Sequence, residues 1–386
     1  MRVLFLNYEY PPLGGGAANA TEYLLKEYKQ NRTLFVDLVT SSPTSTRQEM
    51  WLGENICVHA LPIGKNGNNL HHQSKKDLIV YSFKAYWYAK KLLKANQYDV
   101  IHAFFGVPCG VLAMRLGKKF DVPYIVSLRG ADVPGYSERF ASLYNILTPL
   151  IRLVWREAFQ VISNSRGLRE LALTSEPGLK IPIIPNGVDT KEFPVKASDT
   201  FSGESFTVLC VSRLTPRKGI RFLIQAVALL HPRYPKLRLL IAGEGGEQEA
   251  LMTQVKDLHL NQEVQFLGRV EHNELVHVYQ GADVFCLPSQ NEGMSNTLLE
   301  ALATGLPIVA TVTGGTEELV VDGENGYYVE KNNAEDIADK LTLLIEDREK
   351  CVAFGRASRL RAEAQSWRAV ADAYSQVYTA SVNKKL

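Results

Sequence analysis

Val284-Phe-Cys-Leu-Pro-Ser-Gln-Asn-Glu292-Gly-Met-Ser-Asn-Thr-Leu-Leu-Glu300-Ala-Leu-Ala303 is the stretch whose reading decides the fold. The apolar run Val284 to Leu287 has the texture of a strand, Glu292 to Asn296 that of a loop, and Thr297 to Ala303 that of a helix. Such a junction gathers unpaired backbone N–H groups and the positive end of a helix dipole, so it suits an anionic, phosphate-bearing ligand. Two carboxylates bracket it. Counted as eight helical positions, Glu292 and Glu300 stand roughly 12 Å apart with about 80° of rotation between them, so both face one elongated ligand. A diphosphate-linked sugar is such a ligand: Glu292 meets the hexose, the amides of Met294 to Asn296 the phosphates or sugar, and Glu300 the ribose diol. A carboxylate suits a diol because it accepts two hydrogen bonds. The plainer reading, a surface helix with one exposed and one capping glutamate, is level with this one on spacing alone.

The flanks of this stretch belong to an α/β series. Thr207 to Val211, Leu237 to Ala242, Val264 to Leu267, Val284 to Leu287, Pro307 to Ala310 and, more weakly, Tyr327 to Val329 read as strands with helices between them. Strands that are apolar throughout and separated by helices imply a parallel sheet covered on both faces. The loop after the first of these, Ser212-Arg-Leu-Thr-Pro-Arg-Lys-Gly219, places Arg213 and Lys218 five residues apart. There they can converge on a phosphate, one as a fork and one as a point charge. Alone, that pair is more often an ordinary solvated patch. Gly243-Glu-Gly-Gly246 and Gly314-Gly315 follow further strands on the same edge.

A similar series fills the first half, with strands at Val3 to Asn7, Leu34 to Thr40, Ile56 to Leu61, Val100 to Ala103, Tyr124 to Leu128 and Gln160 to Ser163. Pro11-Pro-Leu-Gly-Gly-Gly-Ala17 lies between the first strand and a helix near Ala20 to Tyr28, where glycines let backbone approach a ligand. The G-x-G-x-x-G dinucleotide pattern fails, because Asn19 stands where its last glycine belongs, and this counts against a nicotinamide enzyme. His102 ends a strand, where a pocket-facing side chain is expected, although a satisfied buried histidine fits almost as well. Arg129-Gly-Ala-Asp132 follows the next strand on the same edge. Residues 64 to 77 read as a polar loop, and its adjacent His71 and His72 lack a third metal ligand. Leu78 to Lys94 mixes Tyr81, Phe83, Tyr86, Trp87 and Tyr88 with four lysines. A core helix with lysines outward is the favoured reading, and a basic aromatic helix resting on an anionic membrane is the alternative. The last helix, Trp367 to Ser381, carries an apolar stripe at helical spacing that is expected to be buried, against the first domain.

With 386 residues and 46% hydrophobic content, the chain has the size of two domains. Its 43 Lys plus Arg against 41 Asp plus Glu leave a formal charge of +2, which gives no global field for nucleic acid. Five scattered cysteines without a CxxC pair read as buried thiols in a reducing compartment. The opening Met-Arg-Val-Leu-Phe-Leu-Asn7 is too short an apolar run for a signal peptide, and no stretch reaches a membrane span of about 18 apolar residues. A cytoplasmic protein, with the inner face of the membrane as its one candidate surface, is the expectation.

Over nearly its whole length the sequence resembles the retaining glycosyltransferases of family 4. The pieces are Gly14 to Gly16, Pro185-Asn-Gly-Val-Asp189 with Phe193, Arg213 with Lys218, Gly243-Glu-Gly245, Phe266-Leu-Gly268, Pro288-Ser289 and Glu292 to Glu300. Gly305-Leu-Pro-Ile-Val-Ala-Thr311, Gly314-Gly-Thr-Glu-Glu318 and Asp322-Gly-Glu-Asn-Gly326 add to it, and their order is highly specific. The resemblance implies the α/β GT-B fold, two facing Rossmann-like domains with parallel sheets and an interdomain cleft. The expected division is an acceptor-side domain at 1–190 and a nucleotide-sugar-binding domain at 206–365, with the helix at 366–386 packing back on the first.

It further implies roles. Arg213 and Lys218 look like the residues that hold the donor diphosphate and, with Glu292 beside the donor sugar, form the catalytic set. Glu300 looks like the ribose ligand. Gly15, Gly16, Gly243, Gly293, Met294, Ser295, Asn296 and Thr297 complete the donor site, and Val270 lies where the family holds the base. His102, Arg129 and Asp132 fall on the acceptor or sugar side. Where the family often has His-Gly-x-Asp, this chain has Arg129, which stays protonated and cannot be a general base. The implied activity is transfer of a hexose or N-acetylhexosamine from a nucleotide diphosphate sugar, UDP-linked first and GDP-linked next, to a glycan or lipid-linked acceptor, with no cofactor. No Asp-x-Asp occurs, which fits a metal-independent mode. The rivals are a sugar-nucleotide epimerase of the same fold, which needs no acceptor, and a catalytically silent nucleotide-sugar-binding subunit.

Overall fold

The computed structural model describes residues 1–65, 73–136, 141–195 and 205–383. His71, His72 and most of the connector from Lys196 lie outside them. The chain divides into two compact units, Met1–Asn186 with Trp367–Leu386, and Gly187–Ser366.

The first unit holds β1 (Arg2–Leu6), β2 (Phe35–Ser42), β3 (Gln48–Trp51), β4 (Ile56–Pro62), β5 (Val100–Phe104), β6 (Tyr124–Ser127) and β7 (Gln160–Ile162). They form one sheet in the order β3-β4-β2-β1-β5-β6-β7. Its helices are α1 (Gly16–Tyr28), α2 (Lys75–Ala95), α3 (Val111–Phe120), α4 (Ala141–Glu157) and α5 (Arg166–Ser175). Every pairing is parallel except β3 on β4. The antiparallel β3 was not expected from the sequence, because all four of its side chains are exposed and carry no alternation of burial. α2 starts earlier than the expected Leu78. Ser74 Oγ accepts from the Asp77 N–H at 3.1 Å while Asp77 Oδ2 accepts from the Ser74 N–H at 2.9 Å, a capping box that ends the polar loop at Ser74.

The second unit has β8 (Phe206–Val211), β9 (Leu237–Ala242), β10 (Val264–Gly268), β11 (Val284–Leu287), β12 (Ile308–Thr311) and β13 (Gly326–Val329), all parallel, in the order β10-β9-β8-β11-β12-β13. Between them run α6 (Ile220–Leu230), α7 (Gln248–Asp257), α8 (His272–Gln280), α9 (Asn296–Ala303) and α10 (Thr316–Leu319), followed by α11 (Ala334–Ile345) and α12 (Arg348–Ala364). The last helix, α13 (Trp367–Asn383), joins the core of the first unit through Trp367, Val370, Ala371, Tyr374 and Tyr378.

The division falls at 186/187 rather than at 190. Val188 and Phe193 are buried in the second core, the Val188 N–H donates to Gln365 O at 2.8 Å, and Arg359 Nη1 donates to the carbonyls of Thr190 and Phe193 at 3.2 and 3.1 Å. These contacts bind 187–195 to the unit that follows.

Candidate functional site

In an open parallel sheet, ligands settle beyond the carboxyl ends of the strands where the strand order reverses. In the second unit that point lies between β8 and β11. The loops leaving those two strands carry Lys218 and Glu292. Lys218 Nζ and Glu292 Oε1 form an ion pair, with side chains only 11% exposed on either side, and Ser289 Oγ donates to the same oxygen at 2.8 Å. Burial alone would raise the Glu292 pKa; the Lys218 charge and the hydrogen bonds from Lys218 and Ser289 overcome this and hold it below the ordinary value of 4.5. Among the described residues Oε2 of Glu292 accepts no hydrogen bond, and an ammonium has three donors, so both partners keep bonding capacity for a ligand. Arg213 lies on the same β8 loop, exposed, its guanidinium without a hydrogen bond or ion pair among the described residues.

Glycines hold these loops together. Gly219, at φ +67°, lies so close to Pro288 that an added Cβ would stand 2.1 Å from the Pro288 carbonyl oxygen. A Cβ on Gly243 would meet Ser212 O at 1.9 Å, and one on Gly315, at φ +102°, would meet Gly293 O at 2.3 Å. The absent Cβ lets backbone pack on backbone. Gly243, expected to touch donor, therefore has a structural duty on the β8 loop. Gly293 and Met294 are buried, Ser295 caps α9 by accepting the Leu298 N–H at 3.3 Å and meets Thr297 Oγ1 at 3.1 Å, and Asn296 opens the helix.

α9 begins at Asn296, so Glu292 lies four residues before it and the helical count between the two glutamates does not hold. Glu292 turns onto Lys218. Glu300 turns inward, 8% exposed, and its Oε2 accepts from Tyr279 Oη of α8 at 2.8 Å. Burial pushes its pKa up to about 7, against the lowering effect of Tyr279 and of His272. Tyr279 had no sequence signal, since a buried aromatic at helical spacing reads as core. Val270, in the loop between β10 and α8, is half-buried against this core.

In the first unit the strand order reverses between β1 and β5. Gly15 and Gly16 follow β1 and stand exposed at the start of α1, with the Gly15 N–H donating to Glu9 Oε2 at 3.3 Å. The expectation that His102 faces a pocket is overturned. It is fully buried, its Nδ1 pairs with Tyr378 Oη at 2.8 Å and its Nε2 with Ser127 Oγ at 2.7 Å, and burial, aided by the Arg129 charge, drives its pKa well down. Both ring nitrogens are used by the core. Asp132 is likewise internal: Oδ1 accepts the N–H of Arg129 and Gly130 at 2.9 and 3.0 Å, and Oδ2 that of Gly106 at 2.8 Å. It organises the loops after β5 and β6 and offers nothing to an acceptor. Arg129 is half-buried, donating to Asn186 Oδ1 at 2.9 Å and lying 5.0 Å over the Phe104 ring.

Among the described residues one trio, Asp37, Cys57 and His59, brings possible metal-binding atoms within 4.8 Å of one another. Asp37 already accepts from Arg2, Tyr98 and His59, and the guanidinium at 3.0 Å occupies the place a cation would need. The trio is an internal polar network. No described helix is long and apolar enough to cross a membrane.

Comparison with known proteins gives the family and the fold. The family described as Glycosyl transferases group 1 matches residues 194–361, and Glycosyltransferase Family 4 matches residues 14–192. A glycogen synthase of Mycobacterium tuberculosis is 26% identical over 99% of this chain and 95% of its own. A GDP-mannose-dependent alpha-(1-6)-phosphatidylinositol monomannoside mannosyltransferase of the same organism is 34% identical over 70% and 73%. A sucrose-phosphate synthase from Thermosynechococcus elongatus superposes with a TM-score of 0.83 at 21% identity, covering 98% of both chains. HepE of Anabaena, solved with UDP-glucose, superposes with a TM-score of 0.74 at 22% identity over 98% of this chain and all of that one.

Proposed function

This chain belongs to the family 4, group 1 glycosyltransferases of GT-B fold, and from that premise we propose that it moves a hexose or N-acetylhexosamine from a nucleotide diphosphate sugar to a hydroxyl of a glycan or lipid-linked acceptor, with retention of configuration. The observation that carries this reading is the Lys218–Glu292 pair spanning the loops of β8 and β11 at the reversal point of the second sheet. Lys218 and Arg213 oppose the charge that develops on the departing diphosphate, the largest electrostatic demand of the reaction. Glu292 Oε2 receives a sugar hydroxyl, and Glu300 the ribose. No side chain need be a general base: in a same-face reaction a donor phosphate oxygen takes the acceptor proton, and Arg129 could not. Metal independence is part of the proposal, because the fixed cations do the work a divalent ion would do.

A UDP-sugar is the first donor to test and a GDP-sugar the second, the latter because a 34% identical relative is named for GDP-mannose. That name and the glycogen synthase frame the acceptor class, lipid-linked or glycan. The arginine at 129 favours one rival, a silent donor-binding subunit. The test is thermal stabilisation by UDP, GDP and ADP and their sugars in the presence of a chelator, followed by product analysis with glycan and lipid-linked acceptors. A ligand bound only by the folded state raises its stability. Stabilisation by one nucleotide, lost in Glu300→Ala, together with an α-linked product from an α-linked donor, is the expected result. Stabilisation without transfer would turn the reading to the silent subunit, and isomerised donor without acceptor to the epimerase.

A further inference from the structure

The connections that step rightward through the first sheet, β4 to β5, β5 to β6 and β6 to β7, carry α2, α3 and α4. Right-handed crossovers put these three on one face of the sheet, and α2 contacts α3 as α3 contacts α4. Nothing in the proposed chemistry uses that face.

Its outer surface is unlike the rest of a chain whose formal charge is only +2. On α2, Ile79, Phe83 and Trp87 recur every fourth residue and are 70%, 68% and 52% exposed, a stripe turned away from the buried Tyr81, Ala85, Ala89 and Leu93. On α4, Ile146 and Leu153 are exposed as well, at 75% and 43%. Around these side chains α2 carries six lysines against one acid, Asp77, whose carboxylate is spent on the N-cap. α3 adds Arg115, Lys118 and Lys119, of which Lys118 is paired with Glu157 of α4 at 2.7 Å. The charges crowd one another: Lys90 lies 4.3 Å over the Trp87 ring, and loss of hydration together with repulsion from Lys119 and Lys94 lowers its pKa.

We propose that the α2–α3–α4 face docks on an anionic membrane surface, with Ile79, Phe83 and Trp87 entering the headgroup boundary and the surrounding lysines meeting the lipid phosphates. A patch that was merely basic would suit any polyanion. Here the aromatic and aliphatic side chains stand exposed among the lysines, and apolar side chains of this size gain from an acyl boundary and not from a hydrophilic polymer. The positive ring selects anionic headgroups within a Debye length.

The test is co-sedimentation of the whole protein with phosphatidylcholine vesicles, with and without phosphatidylglycerol, at low and high salt. Paired variants Phe83→Glu with Trp87→Glu, and Lys91→Gln with Lys94→Gln, accompany the native chain. The expected result is binding to the anionic vesicles only, weakened by salt and by the lysine pair, and weakened at least roughly tenfold by the aromatic pair. All four positions lie on the outside of the helix or its edge, so melting temperature and stabilisation by the donor nucleotide are expected to stay native. Those two readouts separate this proposal from the donor reading. Absence of vesicle binding, or binding indifferent to Phe83 and Trp87, overturns it. Equal binding to soluble heparin would assign the face to polyanions instead, and loss of self-association in the aromatic pair without any vesicle binding would assign it to a second copy.

Discussion

Lys218 Nζ and Glu292 Oε1 join two loops that are 74 residues apart in sequence, at the place where the second sheet reverses its order. Removing one partner from a buried pair leaves the other charge uncompensated. Lys218→Met is therefore expected to cost about 3–5 kcal/mol in chemical denaturation, and the double variant with Glu292→Gln to recover most of it. Activity should fall at least ~100-fold in both, because the cation proposed to face the leaving group is gone in both. Recovery of turnover in the double variant would show the pair to be architectural.

The same pair sets an acid limit. The folded pKa of Glu292 lies below its ordinary 4.5, so its contribution to stability is present above that value and is lost as pH falls through the folded pKa. Denaturation midpoints measured from pH 6 down to pH 3 should drop less steeply in Glu292→Gln than in the native chain.

Glu300 titrates in the opposite sense. Its folded pKa of about 7 exceeds its ordinary 4.5, so the free protein binds the extra proton and loses stability as pH rises from about 4.5 through 7. The amount is on the order of 3 kcal/mol at most, at about 1.4 kcal/mol per unit. A ribose diol wants the carboxylate, so nucleotide affinity by calorimetry should weaken as pH falls below 7. Tyr279→Phe deletes a hydrogen bond that lowers this pKa, and should move the whole profile to higher pH while sparing folding. An unmoved profile would refute Tyr279 as the positioning residue.

Backbone packing at the site can be tested with two glycines. Gly315→Ala brings a Cβ to 2.3 Å from Gly293 O at φ +102° and should destabilise by about 2–4 kcal/mol while distorting the Gly293–Asn296 loop. Gly246, exposed and with nothing within 4 Å of its Cβ position, should accept alanine with no loss and a gain of up to ~1 kcal/mol.

Arg129 is expected to serve the acceptor. Arg129→Ala should raise the acceptor KM about tenfold or more and leave nucleotide-induced stabilisation unchanged. Unchanged acceptor affinity, with a fall in melting temperature, would confine the arginine to its bonds with Asn186 and its contact with Phe104.

The parallel strands were legible because apolar runs bounded by glycine loops have one economical arrangement. β3 was not, since Gln48–Trp51 forms an edge hairpin without a buried face. Residue type and place in the chain, Lys218 and Glu292 in loops after strands and Glu300 in the helix that follows, single these side chains out in the sequence, but not their partners. A sequence shows that a carboxylate follows a strand, not whether it meets lysine, as Glu292 does, or tyrosine, as Glu300 does. His102 shows the converse. Its place at a strand end suggested a pocket, and only the return of Tyr378 and Ser127 to its two nitrogens marks it as core.

Because α13 completes the first core, with Trp367 stacked 5.2 Å from Tyr23 and Tyr28 Oη donating to Ala371 O at 3.2 Å, the order of synthesis and the order of folding part company. A ribosome usually finishes domains from the amino end. Here the unit begun first waits for residues 367–383, and the unit encoded in the middle, residues 187–366, has its whole core in hand before them. During translation the first sheet is therefore expected to stay uncovered along the side that α13 closes until residues 367–383 have emerged.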